Sequence, residues 1–311
     1  MNPNSIDAGL LRFCLEHSDG GNLTETQLPQ RDEADYKWLR AALNDLQTDA
    51  DRMKKLVEML KSSESSETDK ATALEELQYL IEDLDNANDL YKIGGFEPVL
   101  ALMNDKDSAN LRYWAAWAVA TAVQNNPSSQ AQAMEKGALA QILLLLQNET
   151  EDRVLSKAVP ALSGLIRDHP KAVEAFLKAN GLRLLAYLLT STKGDQLSAA
   201  TKMKVVFLFA YLCRVVPLVR HAVREYSLIK PLADMVARSD SADLREKALA
   251  CLLEATKDTG LNVEACRELG LPETLKDRIA STKGDEDKQT EHDLCLALNE
   301  QLSSQAQRTD K

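Results

Sequence analysis

The residues best suited to hold a metal or attack a carbonyl are four histidines and five cysteines. Two pairs have ligand spacing, Cys14-x-x-His17 and His292-x-x-Cys295. A zinc site needs its donors converging on one tetrahedron, and these pairs stand at opposite ends of the chain, so joint ligation is not expected. Glu82, Asp83, Asp85 and Asp89 crowd one stretch. They lack the glycine and the alternation of a calcium loop and read more plainly as a solvated helix end. Lys193-Gly194 and Lys283-Gly284 lack the spacing of a phosphate loop, and no Gly-x-Ser-x-Gly elbow or nucleophile–base pair is present. Cys14, Cys213, Cys251, Cys266 and Cys295 are odd in number and without a close redox spacing. They read as reduced core residues in a reducing compartment. The expectation is a protein with no metal, no cofactor and no catalytic residues.

What remains is recognition chemistry. Trp114 and Trp117 fall on one long helix, where aromatic side chains either fill a core or anchor a partner. Lys202 and Lys204 open one later helix, and Arg245 and Lys247 another. A solvated surface is the plain reading of these cations. The functional one is the basic end of a groove that meets acidic residues of a partner. The net charge of −11 is unevenly spread: residues 1–91 carry 20 acidic and 9 basic side chains, and residues 92–311 carry 28 of each. So acidic a chain is a poor ligand for nucleic acid, whose affinity comes mainly from neutralised phosphates. No run of roughly 18 apolar residues could span a membrane, and the first eleven residues are too polar for a signal peptide, so a cytoplasmic protein is expected.

The positioning elements come from an internal repeat. Gly95, Gly137, Gly181, Ser227 and Gly270 recur at spacings of 42, 44, 46 and 43. A short helical segment precedes most of these positions, at 127–136, 170–180, 217–226 and 262–269. The first three begin with Pro127, Pro170 and Pro217, a residue that suits a first helical turn. The glycine is expected to end this helix in a left-handed conformation. A medium helix follows, and then a longer one, at 111–124, 154–167, 201–215 and 244–256, with apolar residues at i, i+3, i+4 and i+7. Three helices in about 43 residues is the armadillo period. The fold expected is therefore all-α, an armadillo-like right-handed superhelical solenoid of about five three-helix repeats with helical capping segments, offering a continuous concave surface. The repeats are placed at about 84–126, 127–169, 170–216, 217–260 and 261–302, with a half-repeat cap at 68–83 inside a repeat domain of 63–302. Residues 1–62 read as an acidic, partly mobile arm with amphipathic helices at 8–17 and 31–46, continued at 51–61, and 303–311 as a tail.

Some strings are more specific than the repeat. Asp85-Asn86-Ala87-Asn88-Asp89 opens the first repeat, Val123-Gln124-Asn125-Asn126-Pro127 closes it, and Leu10-Leu11-Arg12-Phe13 and Leu165-Ile166-Arg167-Asp168-His169 stand on either side. Together these resemble the Hsp70-binding-protein-1 family, the armadillo-type nucleotide exchange factors of heat-shock protein 70, over nearly the whole chain. The resemblance implies a monomeric co-chaperone whose concave face wraps one lobe of the chaperone's ATPase domain and promotes ADP and client release, with the N-terminal arm reaching the substrate-binding domain. It implies no nucleic-acid or membrane partner. The partner-binding residues expected are Asp85, Asn86, Ala87, Asn88, Trp114, Trp117, Gln124, Asn125, Asn126, Arg167, Lys202, Lys204 and Arg245, with Ala87 small enough for close approach of a partner. The alternatives are an armadillo adaptor for extended peptides and a scaffold or regulatory subunit for another protein. Peptide adaptors carry Trp-x-x-x-Asn pairs in repeat after repeat, whereas Trp117 is followed at that offset by Thr121.

Overall fold

The computed structural model describes residues 48–304, which are helical with no strand among them. The helices expected at 8–17 and 31–46, the Cys14 and His17 pair, and residues 305–311 lie outside the described residues. Two helices come first, α1 (Asp49–Lys61) and α2 (Glu67–Leu80). Sets of three follow. The first is α3 (Leu84–Lys92), α4 (Phe96–Leu102) and α5 (Ala109–Val123), and the second α6 (Pro127–Glu135), α7 (Ala138–Asn148) and α8 (Asp152–Ile166). The third is α9 (Pro170–Lys178), α10 (Gly181–Thr190), an extra turn α11 (Thr192–Gln196) and α12 (Ala199–Val215). The fourth is α13 (Val219–Glu225), α14 (Ile229–Arg238) and α15 (Ala242–Thr256). The fifth is α16 (Gly260–Glu268), α17 (Leu271–Thr282) and, after a 3-10 turn at Glu286–Lys288, α18 (Gln289–Ser304). This is the all-α solenoid of three-helix units that the period predicts.

Local chemistry sets the breaks. Ser108, Ser198 and Ser241 cap the third helices α5, α12 and α15, each accepting the backbone N–H three residues on. Pro127 and Pro170 open α6 and α9 behind the caps Asn126 and His169. Pro217 differs from expectation: α13 starts two residues later, and the Pro217 carbonyl accepts the Arg220 N–H in the turn before it. The left-handed residue between first and second helices is Gly94, Gly137, Asn180, Ser227 and Gly270 in turn. Gly95 and Gly181 are therefore not the left-handed residues. They open the next helix, where an added Cβ would overlap Leu90 or Phe176. Asparagine tolerates positive φ better than most residues, which frees Gly181 for the close packing.

The third helices form a ladder. α2, α5, α8, α12, α15 and α18 each pack on the next. Small side chains make the close approach possible: Ala115, Ala116, Ala118 and Ala122 of α5 are 0% exposed. At Gly164 of α8 a Cβ would lie 3.0 Å from Val123 Cγ2, so a larger residue would push the rungs apart. Residues 51–61, grouped by pattern with the arm, belong to this stack, since Met53, Leu56, Val57 and Leu60 of α1 are buried and α1 packs on α2. The pentapeptide Ser-Thr-Lys-Gly-Asp takes two conformations. At 191–195 it winds into α11, where a Cβ on Gly194 would stand 2.9 Å from the Leu188 carbonyl oxygen. At 281–285 it ends α17, with Gly284 left-handed.

Two ion pairs lock successive units. The fourth residue of α5, Arg112, donates to Glu149 at 2.6 and 3.3 Å and to the Asp105 carbonyl at 3.1 Å. The fourth residue of α15, Arg245, repeats this, donating to Glu291 of α18 at 2.9 and 2.8 Å and to the Ser239 carbonyl at 2.8 Å. Arg278 of α17 closes on the same carboxylate, which is 0% exposed. Buried pairs fix register more than they add net stability, because desolvation offsets much of the attraction. Burial pushes the Glu291 carboxyl up, but hydrogen bonds from Arg245 and Arg278 hold it below the usual range. A carboxylate depressed on folding contributes stability above its ordinary value near 4.3 that is lost as pH falls through the folded value. Glu291→Gln is expected to cost about 3–5 kcal/mol at neutral pH and to flatten the loss of stability below about pH 4, both read by denaturant unfolding across pH. An unchanged midpoint at pH 7 would contradict this.

Candidate partner-binding face

The third helices also set what faces the groove. Counting from the first residue of each, the sixth position holds Trp114, Lys157, Lys204 and Lys247 on α5, α8, α12 and α15, and the ninth holds Trp117, Pro160, Phe207 and Ala250. Trp114 and Trp117 stack in parallel, centroids 5.1 Å apart at 4°. Tyr113 stands edge-on to both, at 5.2 and 5.7 Å. From the next rung Lys157 Nζ sits 3.2 Å above the Trp117 ring, and the Arg153 guanidinium lies 5.2 Å over Tyr113. Further along, Arg167 lies over Phe207 at 5.2 Å and Tyr211 at 5.8 Å. Around Arg167 and Phe207 opens a cleft of about 520 Å³ that reaches α5, α8, α12 and α15 through Ala120, Gly164, Phe207 and Lys247. A depression shared by four successive third helices means that they line the inward-curving side.

Pro160 ties this face to the scaffold. Having no N–H, it leaves the Ser156 carbonyl without its helical donor. Lys204 of the next rung supplies one, with Nζ 2.8 Å from the Ser156 oxygen. Burial lowers the pKa of Lys204, partly offset by Asp152, and burial together with the charge of Lys204 lowers that of Lys157. Neither amine has an ion pair among the described residues, nor do Arg167 and Lys247. The face is thus aromatic and cationic on an array whose own charges balance.

The structure brings together six of the expected residues. Trp114 and Trp117 join Gln124, Asn125, Arg167 and Lys204 on this face. It places the others elsewhere. Ala87 is 1% exposed in the core and offers no surface to a partner. Asn126 is buried as the cap of α6, accepting Ser129 N–H at 3.1 Å. Arg245 is consumed by Glu291. Lys202 occupies the fourth position and lines a separate hollow with Gly194 and Pro231. Asp85, Asn86 and Asn88 lie on α3, outside the cleft, where Asn86 donates to the Leu80 carbonyl at 2.9 Å and Asp83 caps the helix. Tyr113, Lys157 and Phe207 were absent from the expected set, although counting from each third helix start finds two of them. Of the acidic and metal-like groupings, Asp89 pairs with Lys92 at 2.6 Å, and His292 Nδ1 sits 2.9 Å from Thr282 Oγ1. Among the described residues no group of three His, Cys, Asp or Glu converges.

Comparison with known proteins bears on this face directly. The model of the SIL1/FES1/HPBP1 C-terminal domain matches residues 86–214, and that of nucleotide exchange factor Fes1 matches residues 8–90. Hsp70 nucleotide exchange factor FES1 of Coccidioides immitis is 31% identical over 173 residues, 54% of this chain and 81% of that protein. The chain belongs to the SIL1/FES1/HPBP1 family. Human Hsp70-binding protein 1 is 30% identical over 228 residues, 73% of this chain and 62% of that one. Nucleotide exchange factor SIL1 of Rattus norvegicus is 29% identical over 240 residues, 77% of this chain. The chain spans 48% of the length of that relative. Among solved structures, an armadillo repeat protein computationally designed for modular peptide recognition aligns with a TM-score of 0.67 at 18% identity, covering 80% of this chain and 99% of that one. That likeness shows the fold. Most of the cleft lies inside the SIL1/FES1/HPBP1 span, while Lys247 lies beyond it. No described helix is long and apolar enough to cross a membrane.

Ala87→Arg is expected to lower the thermal midpoint sharply or prevent folding, because it buries a charge without a partner. A folded Ala87→Arg protein of wild-type midpoint would refute the core placement. Lys204→Met is expected to cost about 1 kcal/mol by orphaning the Ser156 carbonyl. In a Pro160→Ala background the helix supplies that donor and the cost should shrink, giving a coupling of about 0.5–1.5 kcal/mol in a double-mutant cycle. Additive effects would exclude the link.

Proposed function

We propose that the protein is a nucleotide exchange factor of heat-shock protein 70, a co-chaperone with no bond-making chemistry of its own. The observation that carries this reading is the aromatic and cationic inner face shared by four successive third helices. It occurs on a chain of a family whose relatives are named for nucleotide exchange and Hsp70 binding. The mechanism is linkage. The face grips the chaperone's ATPase domain more tightly when its lobes are open than when they are closed on ADP. By reciprocity, ADP binding weakens by the same factor. ADP leaves, ATP enters, and the client is released.

A monomer is the proposed acting form, with residues 1–62 meeting the chaperone's substrate-binding domain. The proposed compartment is the cytosol, supported by Cys213, Cys251, Cys266 and Cys295 being buried free thiols. Burial lifts the Cys213 and Cys266 thiols to about 12, which keeps them protonated and unreactive.

The test is release of a fluorescent ADP analogue from an Hsp70 ATPase domain chased with excess ATP. Acceleration that rises and saturates with protein concentration is expected. Trp117→Ala and Phe207→Ala should each weaken the half-saturating concentration by about tenfold or more, as interface anchors do. No acceleration, with another exchange factor active in the same assay, would reject the reading and favour a peptide adaptor.

A further inference from the structure

The sixth-position residues Trp114, Lys157, Lys204 and Lys247 lie 43, 47 and 43 residues apart and fall on consecutive rungs of the ladder. Lys157 and Lys204 stand close enough for the charge of one to lower the pKa of the other. Lys204 and Lys247 line one cleft. Cations that are partly desolvated and unpaired are unfavourable in the free protein. They become favourable when a partner brings opposite charge.

The spacing restricts what that partner can be. Packed helix axes stand about 8–10 Å apart, so the three lysines recur at about that pitch. An α-helix laid across the rungs returns to the same face every seven residues, a rise of about 10.5 Å. An extended strand covers a similar distance in three residues, but it must satisfy its backbone N–H and C=O groups. The thirteenth position of each third helix holds Thr121, Gly164, Tyr211 and Glu254, none of which carries an amide, and the Thr121 hydroxyl already accepts from Gln78 at 3.2 Å. The amides that line the cleft, Gln124, Asn125 and Gln130, sit together just after α5 and do not recur from rung to rung, and Gln130 is already bound to the Gly164 and Arg167 carbonyls. A helix satisfies its own backbone and needs only side-chain contacts.

We propose that this face reads a helix of its protein partner that carries acidic residues at i, i+7 and i+14 against Lys157, Lys204 and Lys247, with an apolar residue one pitch earlier on the stack of Trp114 and Trp117. The proposal rests on the partner-binding reading of the face and specifies the docking element. The carboxylates beside the row are Asp152, next to Lys204, and Asp168, in the same cleft as Lys204 and Lys247. Asp152 accepts the Ser198 N–H at 3.1 Å and offsets the Lys204 charge only in part, since burial still lowers the Lys204 pKa.

The test uses the full chain carrying Trp38→Phe, so that emission comes from Trp114 and Trp117. Two synthetic 22-residue helical peptides of one composition are titrated. One has Leu at position 1 and Glu at 8, 15 and 22, and the other has the same residues at five-residue spacing. The seven-residue peptide is expected to shift the emission saturably. Its affinity should fall about tenfold or more between 50 and 200 mM salt and about tenfold for each of Lys157→Glu and Lys247→Glu. Lys276→Glu on α17, outside the row, should leave it unchanged. Equal binding of both peptides, indifference to the two reversals, or equally tight binding of a polyphosphate of equal charge would overturn the proposal. A peptide that binds as expected while the protein fails to accelerate ADP release would sink the exchange-factor reading and leave this one standing. Acceleration with no preference between the peptides would do the reverse.

Discussion

Everything in this molecule depends on one rung lying close against the next. A helix set with a single apolar stripe has no stable core of its own, and each set is held by its neighbours. The seam is built from alanine on α5 and from glycine at Gly164 of α8. Small residues bring the axes together, so the seam takes up one side of each third helix and leaves the other for display. The fourth-position arginines Arg112 and Arg245 then lock register from outside the apolar contact, each bonding backward to a loop carbonyl and forward to the next unit.

Display and support meet at Pro160. Its missing N–H draws Lys204 across to the Ser156 carbonyl, so one of the cations that give the face its charge also completes the hydrogen bonding of the neighbouring helix. Lys157 differs: it rests on the Trp117 and Tyr113 rings. Two lysines at the same helical position thus have unequal structural duties.

Period, helix order and fold class were legible because apolar spacing and chain breaks are local properties. Where a break admits two solutions, the sequence is less decisive. Gly95 and Gly181 look like the left-handed residues, yet Gly94 and Asn180 take that role, because positive φ and close packing both favour glycine. The site was half legible. Trp114, Trp117, Arg167 and Lys204 stand out by type. Ala87, Asn126 and Arg245 also stand out, but a cap, a core alanine and a paired arginine carry the same residue letters as a surface. Lys157 and Phe207 are ordinary residues until helix starts are aligned, when their register places them on the face.

The sixth position has a further property. Apart from Trp114, which packs against the core, its side chain takes little part in the seam, so exchanging it leaves the stacking of sets almost untouched. Lineages can therefore revise partner preference one rung at a time, through single codon changes that the scaffold does not resist. The exception is the rung of Lys204, where Pro160 and the lysine are bound to change together. Divergence among descendants should run ahead at residues 157 and 247 and lag at the 160–204 pair.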